Sequence, residues 1–271
     1  MLRSVKEMEG YAVSATDGVI GHVKDFYLDD EAWVIRYLVV DTGGWLSSRK
    51  VLVSPIAIGL PDQELRLLPA SISREQIRKS PDIDTENPVS RQHEMTYSAY
   101  YDYPYYWSGD GYWGGGMYPN LMMPGSGGLV SSYANSGEEQ RESARNEPGD
   151  PHLRSCDAVI GYHIHASDGD IGHVAGMLVD EQTWAVRYLI VDTSNWWLGH
   201  QVLLAPQWIE SVNWFDETVA VSMTRQAVKD APAYESQAAL SREAEDRLHQ
   251  HYGRTGYWTD HPVRADEISR V

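Results

Sequence analysis

Short apolar runs separated by turn residues recur along two stretches of the chain, residues 10–58 and 161–209. Runs of this length, bounded by Gly, Pro, Asp and Ser, predict β-strands that follow one another closely. The predicted strands of the first stretch and its continuation are residues 10–16, 20–28, 33–40, 50–54 and 64–68. Five or six short strands in about seventy residues predict a small β-barrel.

One run in each stretch is almost uninterrupted by polar residues: WVIRYLVV at 33–40 and WAVRYLIV at 184–191. A continuous apolar run predicts a strand covered on both faces, so these should be the most buried strands. Arg36 and Arg187 interrupt the two runs, and a buried Arg requires a carboxylate partner. Asp29 and Asp180 are the candidate partners.

The two stretches are copies of one unit. They align without a gap at an offset of 151, and 22 of the 49 aligned positions are identical. The same register joins residues 2–4 to 153–155 and Tyr106-Trp107 to Tyr257-Trp258. The predicted organisation is a first unit at 1–107, a linker at 108–151, a second unit at 152–258 and a C-terminal tail at 259–271.

Each predicted barrel is followed by helical signals. Ser73 to Gln76 fit a capping box, and Thr224 begins the equivalent short helix. Ser241 is the expected N-cap of a second helix, with a weaker counterpart starting near Ser90. The fold class predicted is mainly β: two small barrels, each followed by short α-helices and joined by a Gly/Tyr-rich linker.

The predicted linker, residues 108–151, has no copy in the repeat. It is Gly-rich and then polar, which is typical of a flexible connection. Its first part contains Tyr112, Trp113 and Met117, and these side chains offer a second interpretation, in which they pack onto a barrel or a partner. The sequence leaves both open.

Composition restricts the function. A formal charge of −17 over 271 residues argues against a nucleic-acid surface and against docking on an anionic membrane. The first ten residues lack the apolar core of a signal peptide and no apolar run reaches 18 residues, so we expect a cytoplasmic protein without direct membrane insertion. Cys156 is the only cysteine, which excludes an intrachain disulfide and favours a small buried residue.

Two motifs occur in both units. The first, G-Y-x-x-x-A-x-D-G-x-I-G-H-V, spans Gly10 to Val23 and Gly161 to Val174; the second, W-x-x-R-Y-L-x-V-D-T, spans Trp33 to Thr42 and Trp184 to Thr193. The residues of the first motif expected to set the structure are Asp17, Gly18, Gly21, Asp168, Gly169 and Gly172.

These motifs resemble the PRC-barrel family, which is named for the photosynthetic reaction centre. The resemblance implies a barrel like those of the cytoplasmic domain of the reaction-centre H subunit and of the ribosome-maturation factor RimM. In both settings such a barrel serves as an adaptor and not as a catalyst. The two copies with Tyr-Trp tails are similar to bacterial tandem PRC-barrel proteins.

The sequence contains no P-loop, G-x-S-x-G, H-E-x-x-H or dinucleotide-binding motif, which favours a protein that is not an enzyme and needs no cofactor. His163 and His165 lie two apart and share one face of a strand. If Asp168-Gly169 is a two-residue turn, His173 points to the opposite face, so we expect no metal site. An alternative function is a sensor of a small ligand or metal that uses His163 and His165.

Aromatic residues in loops and tails are the candidates for contact with another protein: Trp45, Trp196, Trp197, Tyr106, Trp107, Tyr257 and Trp258. The loop tryptophans either plug a barrel end or anchor an interface. The function expected is a non-enzymatic interaction or adaptor module, in which the two barrels form an intramolecular pseudo-dimer. Its partner would be another protein or a second copy of the chain.

Overall fold

The computed structural model describes residues 1–47, 49–81, 89–107, 113–114, 117–123, 152–193, 201–235 and 239–259. These residues form a mainly β protein with a six-stranded and a seven-stranded sheet and a few short helices. The mainly β class predicted from the sequence is confirmed.

The strands follow the predicted order. They are β1 (Leu2–Ser4), β2 (Ala12–Ala15), β3 (Gly18–Asp29), β4 (Val34–Asp41), β5 (Lys50–Val53), β6 (Leu67–Pro69), β7 (Leu153–Ser155), β8 (His163–Ala166), β9 (Gly169–Asp180), β10 (Val186–Asp192), β11 (Gln201–Leu204), β12 (Ile209–Asn213) and β13 (Thr218–Val221). The sequence pattern did not predict the short strands β1 and β7, nor β12.

The helices are equally short. They are α1 (Val5–Met8), α2 (Arg74–Lys79), α3 (Arg91–Tyr101), α4 (Cys156–Val159), α5 (Arg225–Lys229) and α6 (Arg242–His251). Four of them begin at the N-cap residues predicted from the sequence, Ser73, Ser90, Thr224 and Ser241, and each of these side chains accepts a backbone N–H. Ser73 and Gln76 complete the predicted capping box. The sequence pattern did not predict α1 and α4.

One sheet has the order β5-β4-β3-β2-β6, with β7 also paired to β3; the other has the order β11-β10-β9-β8-β13-β12, with β1 also paired to β9. Most neighbouring strands run antiparallel, but β2–β6 and β8–β13 are parallel. Within the described residues neither order returns to its first strand, so each copy of the predicted barrel is a sheet whose hydrogen bonding does not close.

The chain divides into two compact parts, called unit 1 and unit 2 from here on, whose bounds differ from those of the two repeats. Unit 1 contains Met1–Ile160 and Gly176–Tyr188, and unit 2 contains Gly161–Ala175 and Leu189–Val271. Unit 1 therefore combines the first repeat with two short stretches of the second repeat, residues 152–160 and 176–188.

The core of unit 1 surrounds β4, whose residues from Val34 to Val40 are all buried. Leu38 has no exposed surface. Strand β10 is buried in the same way up to Val191, and Leu189 in unit 2 is also fully buried. The prediction that these two strands are the most buried of each repeat is confirmed, as expected for nearly continuous apolar runs that are covered on both faces.

The second helix of each tail packs onto its own unit. In unit 1 the ring of Tyr97 lies 5.4 Å from that of Tyr37, and its hydroxyl accepts a hydrogen bond from the amide of Ser54 at 3.0 Å. In unit 2 the ring of Tyr252 lies 4.8 Å from that of Trp208. Helix α3 thus packs onto β4, and the residue that follows α6 packs onto the 3-10 turn Pro206–Trp208.

Part of the predicted linker has a defined place. Trp113 is 1% exposed and Met122 is 5% exposed. For Trp113 the interpretation in which the linker packs onto the protein is therefore correct, whereas Met117, which that interpretation also named, is 38% exposed. Most of residues 108–151, including Tyr112, lie outside the described part of the chain.

Cys156 is the first residue of α4 and is 2% exposed. Burial raises the pKa of its thiol well above the ordinary value, and the nearby carboxylates of Asp25 and Asp157 act in the same direction. Because the thiolate is the reactive form, Cys156 serves here as a small buried side chain, as predicted.

No helix within the described residues is long and apolar enough to span a bilayer.

Candidate functional site

The repeated Asp-Gly dipeptide joins a hairpin to a helix. The residues between β2 and β3 are Thr16 and Asp17, so the turn lies one residue earlier than predicted. Asp17 Oδ1 accepts the backbone N–H of Arg74 at 2.6 Å, at the start of α2. Gly18 follows with a φ of +135°, which disfavours any residue with a Cβ. Asp168 and Gly169 repeat this arrangement with Arg225, also at 2.6 Å.

The next glycine of the motif allows two strands to approach closely. A Cβ on Gly21 would lie 2.0 Å from the carbonyl oxygen of Asp41, and one on Gly172 would lie 1.9 Å from that of Asp192. Only a hydrogen fits at these positions. The close packing and the turn geometry therefore account for Asp17, Gly18 and Gly21 of the shared motif and for their counterparts in the second repeat.

The histidines are arranged differently from the prediction. His163 pairs directly with His173 across β8 and β9, so the prediction that they point to opposite faces is wrong. A β-bulge between Ile164 and His165, together with the earlier turn, shifts the register. His165 Nδ1 lies 2.5 Å from Asp170 Oδ1. Within the described residues, no group of three or more His, Cys, Asp or Glu side chains is placed to hold a metal ion.

Trp45 lies in the 3-10 turn Gly43–Leu46 of unit 1 and is half-buried. Its indole N–H donates to the carbonyl oxygen of Ile20, and the guanidinium of Arg74 lies 4.2 Å from the ring centroid. These contacts place Trp45 across the β2–β3 hairpin and beside α2. Trp196 and Trp197 lie outside the described residues.

The Tyr-Trp pairs at the ends of the tails are held by buried glutamates. In unit 1, Glu94 is 1% exposed and accepts hydrogen bonds from the hydroxyls of Tyr37 at 2.9 Å and Tyr106 at 2.7 Å. Arg91 donates to Glu94 at 2.9 Å, and its guanidinium lies 4.1 Å from the ring centroid of Trp107. A buried carboxylate is stable only with such partners.

Unit 2 contains the same arrangement. Glu245 is 3% exposed and accepts from the Tyr257 hydroxyl at 3.0 Å, and Arg242 lies 2.8 Å from Glu245 and 4.3 Å from the ring centroid of Trp258. The four tail aromatics are therefore half-buried and fasten each tail to its helix. Neither glutamate was predicted from the sequence, although S-R-x-x-E occurs at 90–94 and again at 241–245.

Within unit 1, the two repeats exchange strands reciprocally. Strand β1 pairs with β9 so that Leu2 lies opposite Asp180, and β7 pairs with β3 so that Leu153 lies opposite Asp29. Leu153 is the counterpart of Leu2 and Asp180 that of Asp29, at the repeat offset of 151. The two pairings are thus the same contact made twice.

Between these pairings, counterpart residues meet each other directly. Val34 forms a β-bridge with its own counterpart, Ala185. The amide of Ile35 donates to the carbonyl of Trp184 at 2.8 Å, and the amide of Val186 donates to the carbonyl of Trp33, also at 2.8 Å. A contact in which residue i meets j while j meets i has the form of a two-fold interface.

Ion pairs follow the same reciprocity. Arg3 Nε lies 2.6 Å from Glu181 Oε2, and its counterpart Arg154 Nε lies 2.8 Å from Asp30 Oδ2. Both arginines sit on the exchanged strands β1 and β7.

The arginines of the central strands have their predicted partners. Arg36, 3% exposed, donates to Asp29 Oδ2 from Nη2 at 2.7 Å and from Nε at 3.1 Å. Arg187 Nη2 lies 3.7 Å from Asp180 Oδ2, a looser version of the same pair.

An apolar cavity of about 350 Å³ opens on unit 1. Its lining residues are Ile56, Ala57, Ile58, Gly59, Pro69, Ala70, Ser71, Asn120 and Met123. None of these side chains titrates near neutral pH, so the cavity lacks the acid–base groups that general catalysis uses.

The PRC-barrel domain family model matches residues 2–62, which run from β1 through β5 and include the first copy of both motifs. The first repeat thus contains a PRC-barrel domain, and the resemblance noted in the sequence is confirmed there. The match does not extend to the second repeat. No curated protein matches the chain. A PRC-barrel domain indicates, in general, a module for protein interaction or an adaptor.

Proposed function

We propose that the protein is a non-enzymatic adaptor in which two PRC-type repeats form, within one chain, the equivalent of a two-fold dimer. The observation that carries the proposal is the reciprocal strand exchange in unit 1, where β1 and β7 make the same contact twice. Its two PRC-type repeats would then resemble, in kind, the cytoplasmic domain of the reaction-centre H subunit.

The strand exchange supports this proposal through the physics of sheet edges. Without β7 and β1, residues 27–29 of β3 and 178–180 of β9 would each present unpaired backbone groups on one side. An open strand edge invites pairing with other chains. Because the two repeats belong to one chain, β1 and β7 cover both edges by intramolecular pairing, and the effective concentration of each strand near its edge is high.

The surface supports an adaptor whose partner is a protein. A net charge of −17 repels nucleic acid and anionic lipid and increases the rate of encounter with a basic partner. The proposed partner is therefore another protein with a basic surface, with a second copy of the chain as the competing possibility. We place the protein in the cytoplasm.

The pseudo-dimer is tested by cutting the chain between the repeats. A protease site inserted within residues 125–150 should yield two fragments that elute together from a sizing column, because β1 and β7 hold one fragment to the other. The uncut protein and the cut protein in denaturant are the controls. Two fragments that separate without denaturant would contradict the proposal.

The adaptor role is tested with the full chain as bait in an extract of its native cells. A captured protein must then bind the purified chain, and the affinity should fall as salt rises, since exposed charges separated by more than about 10 Å are screened at 0.1 M salt. If nothing binds stoichiometrically, or if the purified chain converts a metabolite, the adaptor proposal is wrong.

A further inference from the structure

Two carboxylates of the first repeat and one of the second meet in unit 1, where β7 packs onto β3. Asp25 of β3 accepts a hydrogen bond from the Ser155 hydroxyl at 2.6 Å through Oδ2. Its Oδ1 accepts the amides of Phe26 at 2.7 Å and of Asp157 at 3.2 Å. Ser155 ends β7 and Asp157 lies in α4. Asp25 thus fastens both elements to β3.

The third carboxylate, Glu9, follows α1, and we call Glu9, Asp25 and Asp157 the carboxylate cluster. The carboxyl groups of Glu9 and Asp157 are within hydrogen-bond distance of each other. Since an ionised carboxylate has no proton to donate, this bond forms only when one of the two groups is protonated. Burial raises the pKa of Glu9, and the negative charges of Asp157 and Asp25 act in the same direction. Burial also raises the pKa of Asp25, against the effect of its hydrogen bonds.

Little positive charge balances the carboxylate cluster. Lys6 lowers the pKa of Glu9, but burial and Asp157 raise it by more. Arg66 donates to the backbone carbonyl of Glu9 at 3.3 Å and not to its carboxylate. The buried thiol of Cys156 faces all three carboxylates, and their charges add to the effect of burial in raising its pKa. Within the described part of the chain, no Lys, Arg or His side chain forms an ion pair with the cluster.

The other half of the reciprocal exchange lacks the carboxylate cluster. At the repeat offset of 151, the three positions are occupied by residues without a carboxyl group: Ile160 for Glu9, Gly176 for Asp25 and Lys6 for Asp157. The contact between β1 and β9 therefore has no pair of carboxyl groups to repel each other at this place. The two halves of the exchange share their strand pairing and differ in their response to pH.

We propose that the β7 half of the exchange is a pH-sensitive contact, in which Glu9 and Asp157 share a proton in acid and loosen β7 and α4 from β3 once both are ionised. Residues 27–29 of β3 then lose their cover, while β1 still holds the other half of the exchange. An uncovered strand edge accepts an added strand, so loosening would open this edge to a partner. The inference rests on the pseudo-dimer of the proposed function and adds control of one of its two contacts.

The direction of the effect follows from proton linkage. A carboxyl group whose pKa is raised in the folded contact binds more protons there than in the unfolded chain. Its contribution to stability is complete below the ordinary carboxyl pKa of about 4 and is lost as the pH rises through the raised value. His152, just before β7, lies 3.2 Å from Asp30 and carries a charge only when protonated, so the experiment must separate it from the cluster.

The test follows amide hydrogen exchange of the full chain by mass spectrometry from about pH 5 to about pH 8, with rates corrected for the intrinsic effect of pH. We expect the protection of residues 152–160 to fall by about fivefold or more as the pH rises. This is the smallest effect expected of two unit charges about 4 Å apart in water. The protection of the counterpart segment, residues 1–8, should not follow this change.

Glu9→Gln assigns the effect to the carboxylate cluster. The glutamine amide can donate to Asp157 in place of the shared proton, so residues 152–160 should stay protected across the pH range while His152 is still present. Asp157→Asn removes the repulsion from the other side and should act in the same way. Glu7→Gln removes the same charge from an exposed position of α1 and is the matched control, with the pH dependence of the unmodified chain.

Three results would overturn the inference. They are protection of residues 152–160 that does not change with pH, equal pH dependence of both segments, and a pH dependence that remains in Glu9→Gln and in Asp157→Asn, which would assign it to His152. If both segments lack protection at every pH, the pseudo-dimer is absent and the proposed function fails. If both segments are protected and neither responds to pH, the pH-sensitive contact fails alone and the adaptor proposal stands.

Discussion

Replacing Gly21 by alanine is expected to destabilise the protein by about 3 kcal/mol or more, a loss at the upper end for a single substitution. The added Cβ would lie 2.0 Å from the carbonyl oxygen of Asp41 and 2.9 Å from Cα of Thr42. Both are backbone atoms at the end of β4, so relief requires the β3–β4 pairing between His22 and Asp41 to move. The free energy of unfolding from urea titration measures the effect.

Gly44→Ala is the matched control for this prediction. Gly44 lies in the 3-10 turn Gly43–Leu46, and a Cβ there would meet no atom within 4 Å. Its unfolding free energy should change by less than about 0.5 kcal/mol, as for most exposed positions. Equal losses for the two variants would show that the close approach of β3 and β4 is absent in solution.

The elements that local sequence decides were predicted well. Strand β4 was identified because its apolar run has no polar break except Arg36, and helix α2 because Ser73 and Gln76 satisfy the first-turn amides. Both signals come from residues that are close together in the sequence, so they can be recognised without knowing the rest of the fold.

The reciprocal exchange could not be predicted in the same way. Strands β1 and β7 are only three residues long and become strands by pairing with partners far away in sequence, so no periodicity marks them. The only signal was the Leu-Arg-Ser triplet shared at the repeat offset. It indicated that the duplicated unit starts early and left the pairing partner open.

Two features of the candidate sites were not predicted correctly from the sequence, and each has an identifiable reason. The β-bulge at Ile164 and His165 changed which histidines face each other, and one extra residue is enough to move every side chain beyond it to the other face. Glu94 was overlooked because a charged residue on a helix is ordinarily exposed, whereas here three donors from Tyr37, Tyr106 and Arg91 surround it.

The duplication also allows one substitution to serve as the control of another. Asp29→Ala is expected to cost about 3 to 5 kcal/mol, the range for removing one partner of a buried ion pair. Its Oδ2 accepts two guanidinium N–H groups of Arg36, and its Oδ1 accepts the amides of Glu31 and Ala32 at 3.0 Å. Without it, Arg36 is left in the core with a charge that the carboxylate no longer balances.

Asp180→Ala is the counterpart change. It should lower the free energy of unfolding by about 2 kcal/mol less than Asp29→Ala does, because the contact between Asp180 and Arg187 is already loose. Arg187 Nη2 lies 3.7 Å from Asp180 Oδ2, beyond a hydrogen bond, so this variant mainly loses the turn contacts to the amides of Gln182 at 2.9 Å and Thr183 at 3.4 Å. Urea unfolding of both variants gives the comparison. If Asp180→Ala is as costly as Asp29→Ala, the two buried ion pairs are equally strong in solution. The hydrogen bond from Arg36 to the carbonyl of Trp113 would then give the Arg36–Asp29 pair no additional stability over the Arg187–Asp180 pair.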